Sequence, residues 1–439
     1  MAFLNENNTD IAQPYELSVF EDLPNQVAVE RSFYEEYRPI SSLSSDDSPL
    51  EFFVSGQGAL YTDLRKSQLY LRCRIVKSNG DYLTDTDKVS IVNQPLQSLW
   101  SQLDILMNGK LVSCQTCNYP YKAYIKTLLY NQHAGDSGQL EAQMFHKDTA
   151  QLDSLDPVTT TNEGLFVRHS LVKESKQFEI EGTLLEDVFA IDKYMLNGVD
   201  MYLKFYRNPV SFVLLSPTGT ANYRLLIEEA TLKMYKVKLD PGVILAHSQQ
   251  LENSKAQYYF TKSDVKTHTV PRYSNNVCWD NMFPNALPSK VLIGLVSSSA
   301  VNGSMNKNPF NFGCWDVTDV GLFVNGTSYP QRPYKLDFTK NNRFVTAYLN
   351  FMDAACTSRQ NEIFTVKKED FVNGYALYTF LLDPAYADQE HINLVKQGNT
   401  RLEIRFGAPL PEPVTCIAFA EFPSLLQLDK TRDVQYIQP

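Results

Sequence analysis

Cys114-Gln115-Thr116-Cys117 is the residue pattern with the most direct chemical meaning, because a Cys-x-x-Cys step can hold half of a tetrahedral zinc site or cycle as a redox couple. Zinc needs four ligands. No second Cys pair or His pair stands at matching spacing, and the nearest histidines are His133 and His146, so two unconnected thiols is the reading adopted. The 7 cysteines are odd in number and mostly scattered, which fits reduced thiols better than a disulfide framework. The 6 histidines form no His-Glu-x-x-His, and both Gly-x-Ser-x-Gly and the phosphate-loop pattern are absent. Gly56-Gln57-Gly58 lacks the third glycine and the helix of a dinucleotide site and reads as a β-turn. The acidic pairs Glu35-Glu36, Asp46-Asp47 and Glu228-Glu229 would point to opposite faces of a strand, so they read as solvated surface. Trp100, Trp279 and Trp315 could line a sugar-binding face, but each lies beside apolar strand sequence and is expected in a core. No catalytic residue, cofactor or metal site is expected.

Net charge is −10 and unevenly placed. Residues 1–50 hold ten acids against Arg31 and Arg38, so the remainder is nearly neutral. No basic stripe exists to track a phosphate backbone, and direct nucleic-acid binding is not expected. The N-terminus lacks the basic start and apolar run of a secretory signal, and Val291 to Val296 is the longest aliphatic stretch, far short of the ~20 residues of a membrane helix. Synthesis in the cytosol is the expectation.

The elements that would position these residues are strands. With 25 Tyr and 25 Phe against 3 Trp, the chain favours pleated, half-buried surfaces. One β-rich design occurs twice. Trp100-Ser-Gln-Leu-Asp-Ile-Leu-Met107 runs into Asn108-Gly109, and Trp315-Asp-Val-Thr-Asp-Val-Gly-Leu-Phe-Val324 runs into Asn325-Gly326. Asn-Gly readily takes the two positive φ values of a type I′ hairpin turn. A second echo closes each half: Val199, Met201, Leu203 and Phe205 alternate with polar residues after Gly198, as Thr400, Leu402, Ile404 and Phe406 do after Gly398. Two echoes in the same order indicate a duplicated β-domain.

The expected fold is all-β: a double jelly roll of two tandem eight-stranded sandwiches with short helices in loops. Residues 1–49 read as an acidic arm outside both sandwiches, 50–239 as the first jelly roll, 240–255 as a connector with helix near Ile244 to Leu251, 256–428 as the second, and 429–439 as a polar tail. A helix is expected over Tyr119–Tyr130, where Pro120 suits a first turn and Tyr121, Ile125 and Leu128 form a stripe. Residues 131–162 read as a long surface loop with one short helix. Apolar residues dispersed through the arm, Phe20, Leu23, Val27, Val29, Phe33 and Tyr34, are candidates for binding a neighbouring subunit's groove or edge strand.

Tyr37-Arg-Pro39-Ile40-Ser41-Ser-Leu43, followed by Asp46-Asp47-Ser-Pro49-Leu-Glu-Phe52 and Gly56-x-Gly58-x-x-Tyr61-x-Asp63-Leu64, resembles the opening of the major capsid proteins of Polinton/Maverick elements and adintoviruses. Val92-Asn-Gln-Pro-Leu-x-Ser-Leu-Trp100-Ser-Gln-Leu-Asp104, the Asn108-Gly109-Lys-Leu-Val-Ser113 turn and Tyr119-Pro120-Tyr121-Lys-Ala-Tyr-Ile125 continue the likeness. It is specific from residue 35 to about 130 and architectural beyond. The resemblance implies a hexon-like double jelly roll, homotrimers forming pseudo-hexagonal capsomers, neighbouring capsomers with penton and minor capsid proteins as partners, and residence in the virion capsid of a double-stranded DNA virus. It leaves open whether a membrane lines the shell. The competing reading is a tandem β-sandwich that binds carbohydrate or a receptor.

Overall fold

The computed structural model describes residues 25–43, 48–56, 58–113, 116–130, 138–219, 222–284, 286–355, 366–383 and 396–437. Along the first half run β1 (Val29–Tyr37), β2 (Leu50–Val54), β3 (Leu60–Lys77), β4 (Ser90–Ile91), β5 (Trp100–Met107), β6 (Lys110–Leu111), β7 (Phe178–Thr183), β8 (Met201–Arg207), β9 (Leu214–Leu215) and β10 (Tyr223–Leu239). The second half has β11 (Ala256–Val270), β12 (Asn276–Trp279), β13 (Lys290–Ser297), β14 (Val317–Val324), β15 (Thr327–Lys335), β16 (Leu377–Leu381), β17 (Thr400–Phe406), β18 (Val414–Leu428) and β19 (Val434–Ile437).

The first half forms one sheet in the order β1-β10-β3-β7 and another in the order β2-β8-β5-β6; the second forms β11-β18-β13-β16 and β12-β17-β14-β15. Each order maps onto its counterpart strand for strand, with β1 matching β11 and β5 matching β14. Both halves are jelly rolls. All of these pairings are antiparallel, and in the first half Phe52, Phe205 and Trp100 of one sheet and Leu71 and Ile75 of the other are fully buried in one apolar cluster. β13 is buried along its whole length, as its unbroken Val-Leu-Ile-Gly-Leu-Val run requires of a central strand covered on both faces.

The duplication extends to single atoms. Asn108 and Asn325 stand at φ 46° and 50°, and Gly109 and Gly326 at 78° and 82°, the positive pair of a type I′ turn. Asn108 Oδ1 accepts from the Asp200 amide at 2.7 Å, and Asn325 Oδ1 accepts from the Asn399 amide at 2.9 Å. Met107 and Val324 therefore close equivalent strands. Gly56 is explained by close approach rather than by a turn: an added Cβ would lie 2.4 Å from the Val199 backbone.

Three sequence expectations need correction. β1 lies within the stretch assigned to the arm, and it is the first strand of the first jelly roll, paired with β10 from Val29↔Leu239 to Tyr37↔Leu232. As an edge strand it has no fully buried residue, so it shows little apolar periodicity. The 429–439 tail contributes β19, which pairs with residues 425–428 of β18, beyond the reach of β13. Residues 138–162 are not a surface loop: Leu140, Met144, Phe145, Leu152 and Leu155 are buried, and their packing is invisible in a turn-rich, polar composition. The connector is helical over Pro241–Asn253, capped by Asp240 Oδ1 on the Gly242 amide at 2.8 Å.

Candidate functional site

The region that sets how this molecule can be used is the seam between the two sandwiches, because one continuous apolar cluster runs through both. The helix Tyr119–Tyr130 is wedged there. Its buried residues are distributed around the whole circumference, which a helix enclosed by protein requires. Tyr124 stacks on Phe310 with centroids 4.1 Å apart and planes 3° from parallel, and Tyr121 meets Phe310 and Phe312 edge to face at 5.8 and 6.4 Å. Phe310 and Phe312 precede β14, so this aromatic wedge belongs to both halves.

Polar groups fasten the same seam. Lys122 donates to Glu186 Oε1 at 2.5 Å and to Asp187 Oδ2 at 2.7 Å, Lys126 pairs with the other Asp187 oxygen, and Asp187 Oδ2 also accepts from the Ser263 amide of β11 at 2.8 Å. Burial opposes ionisation of Asp187, yet Lys122 and Lys126 hold its pKa down at about 2. Burial pushes its neighbour Glu186 the other way. Arg168, fully buried, donates to Ile91 O (2.9 Å), His146 O (2.7 Å) and Asp148 Oδ1 (2.7 Å). The other Asp148 oxygen accepts from Asn308 Nδ2 at 3.2 Å, and Tyr375 Oη donates to Asp148 O at 2.9 Å, which carries the network into the second sandwich. Tyr130 Oη donates to Glu421 Oε1 at 2.6 Å. At another end the tail clasps the first sandwich: Asn108 Nδ2 donates to Arg432 O at 2.8 Å, and Arg432 Nη2 to Asn197 Oδ1 at 2.9 Å.

The residues singled out by sequence fall into distinct places. Tyr119, Pro120 and Tyr121 open the wedge helix, and Tyr119 Oη donates to Gln97 Oε1 at 2.5 Å. Trp100 is packed 5.0 Å from Phe205 in the first core, while Asn108 and Gly109 form the hairpin held by the tail. Pro39, Ile40 and Ser41 follow β1; the Ile40 amide donates to Glu51 O and the Glu51 amide to Ser41 Oγ, both at 2.9 Å, which docks this segment beside β2. Pro49 is half-buried just before that strand. Val29, Phe33, Tyr34 and Tyr37 lie on β1, with Tyr34 edge-on to Tyr235 of β10 at 5.0 Å and Tyr37 Oη donating to Glu35 at 2.5 Å. Val27 is exposed. Phe20, Leu23 and Asp47 lie outside the described residues, as does Cys114. Cys117 is exposed, with its thiol 3.5 Å from Gln102 Oε1. Trp279 stacks on His268 at 5.1 Å, and Trp315 Nε1 donates to Leu295 O at 3.1 Å.

Sequence reasoning missed Phe310, Phe312, Arg168, Asp148 and Asp187. The all-round apolar character of the Tyr119–Tyr130 segment was a signal for the wedge. Nothing local marks the others.

A cleft of about 470 Å³ opens below the seam, between the Pro241–Asn253 helix and the ends of β3, β10 and β11. Tyr61, Leu196, Leu239, His247, Leu251 and Tyr258 line it, with Tyr61 Oη 3.0 Å from His247 Nδ1. Among the described residues no group of three or more His, Cys, Asp or Glu is placed to hold a metal ion.

Comparison with solved structures places this geometry. The Sputnik virophage, in its cryo-EM structure, matches 98% of this chain and 93% of its own at 13% identity, with a TM-score of 0.60. The mavirus major capsid protein covers 98% and 95% at 9% identity and 0.52, and the Faustovirus major capsid protein 95% and 92% at 9% and 0.53. The chain has their double jelly-roll fold. Because both sandwiches align in one superposition, the double jelly roll is matched as a whole rather than as one half found twice. An uncharacterized protein of Caenorhabditis elegans, F54H12.2, is 25% identical over 402 residues, 88% of this chain and 93% of its own. No protein-family model matches the chain.

Proposed function

We propose that the chain is the major capsid protein of an icosahedral double-stranded DNA virus, acting by self-assembly and without catalysis. The observation that supports this best is the fusion of two topologically identical sandwiches across one buried seam: a rigid two-tower subunit in three copies presents six similar towers, and such a ring tiles an icosahedral face. The homotrimer is thus the proposed capsomer, with neighbouring capsomers and with penton and minor capsid proteins as partners in the virion shell. The viral neighbours in structure space favour the same reading.

The Polinton/Maverick and adintovirus group is the proposed source. Its support is the motif resemblance across residues 35 to about 130 together with a relative of similar length among the proteins of an animal, where an integrated capsid-encoding element would be found. The acidic charge of residues 1–24 argues against direct contact with DNA.

Native mass spectrometry of the purified protein, followed by negative-stain microscopy, tests the proposal. Trimers and pseudo-hexagonal particles are expected. A protein that stays monomeric at tens of micromolar, with no hexagonal particles, would overturn it.

A further inference from the structure

We propose that the cleft under the connector helix is the seat of the chain's own N-terminal segment, specifically the acidic and apolar stretch from Tyr15 to Leu23. Three independent observations carry this: position, charge and lining.

The chain enters β1 beside the cleft. The Asp240 amide donates to Ala28 O at 3.0 Å, and Val29 pairs with Leu239, whose side chain is part of the cleft wall. Leu23 is five residues upstream of Ala28, a span of at most ~18 Å when extended, so the segment reaches the opening without leaving its own subunit.

Charge is complementary. The cleft is rimmed by Arg65, Lys193 and Lys255 against the single acid Asp192. Residues 1–24 contain Glu6, Asp10, Glu16, Glu21 and Asp22 and no lysine or arginine. Five carboxylates on a short segment raise its local concentration at a basic rim, an attraction that weakens with salt.

The floor suits side chains of this stretch. Tyr61 and Tyr258 line the floor with their hydroxyls already engaged, on His247 Nδ1 (3.0 Å) and on the Leu196 amide (3.1 Å), so neither hydroxyl is left to be satisfied by a ligand, and Leu196, Leu239 and Leu251 add aliphatic lining. Tyr15, Leu17, Val19, Phe20 and Leu23 are the apolar groups within reach. A cleft of about 470 Å³ holds a few such side chains. Seating the segment would cover the connector helix and tie the first strand of the molecule to the joint between its two halves. It requires no shell and is tested on the isolated protein, so its failure leaves the capsid reading untouched.

The experiment uses a chain starting at residue 25 and a fluorescent synthetic peptide of residues 1–24, read by anisotropy. Micromolar binding to the truncated chain is expected, with at least tenfold weaker binding to the full-length chain, whose cleft is filled. Arg65→Glu with Lys193→Glu in the truncated chain should lower affinity at least tenfold. A peptide with all five acids replaced by their amides, against unaltered protein, should lose the same factor and guards against a variant that misfolds. Absence of binding at 1 mM peptide, or equal binding by full-length and truncated chains, would overturn the proposal. Crosslinking of mixed heavy- and light-isotope copies should join residues 1–24 to the cleft within one copy; crosslinks solely between copies would overturn the assignment to the same subunit.

Discussion

Replacing Tyr124 by alanine is the sharpest test of the seam. Tyr124 is fully buried and lies face to face with Phe310 across the junction of the two halves. Truncating a buried aromatic ring costs about 3–5 kcal/mol in lost transfer energy and residual cavity. Of that, about 1 kcal/mol belongs to the ring pair itself and should appear as coupling in a double-mutant cycle with Phe310→Ala. Set against a total stability of about 5–15 kcal/mol, this is a large fraction. With a urea dependence of about 3 kcal/mol per molar, a loss of 4 kcal/mol moves the midpoint down by about 1.3 M. The tryptophans give each half a reporter, since Trp100 lies in the first sandwich and Trp279 and Trp315 in the second. Wild-type protein is expected to unfold with coincident transitions in variants that retain only Trp100 or only Trp279 and Trp315. Tyr124→Ala should lower both and separate them. Tyr124→Phe keeps the ring and should cost under about 1.5 kcal/mol. If Tyr124→Ala stays within 1 kcal/mol of wild type, or if Tyr124→Phe is equally damaging, the seam is not held by ring packing.

Arg168→Met should destabilise by about 3–5 kcal/mol because it strands Asp148 as a buried, uncompensated charge, and adding Asp148→Asn should recover much of that; no recovery in chemical denaturation would contradict the pairing. Asp187 has a folded pKa of about 2, below the ~3.9 of an unfolded aspartate, so its contribution is fully present above pH 4 and lost as pH falls toward 2. Glu186, shifted upward, acts with the opposite sign. Melting temperatures between pH 7 and pH 2 should fall more steeply in wild type than in Asp187→Asn across that window, and parallel curves would refute the assignment. A chain beginning at residue 25 should keep a cooperative melt and its β-sheet circular dichroism, whereas one beginning at residue 38 loses β1, bares the β10 edge and should be recovered mainly as aggregate; equal soluble yields would show that β1 is dispensable.

The sequence alone carried the duplication, because its signals are local. Period-2 alternation in Met201–Arg207 and Thr400–Phe406, and the backbone demands of Asn108-Gly109 and Asn325-Gly326, are properties of a few adjacent residues, and the structure places them on matching strands. The Tyr119–Tyr130 helix was legible for the same reason. Edge strand β1 was hidden because none of its residues is fully buried, so its apolar alternation is weak, and its charges made it look like part of the arm. What joins the halves was decided by tertiary structure. Tyr124 meets Phe310, Asp187 meets Ser263, Asp148 meets Asn308 and Asn108 meets Arg432 across separations of 76 to 324 residues. No local rule pairs such residues: each contact exists only after both sandwiches have closed and brought distant chain segments within reach.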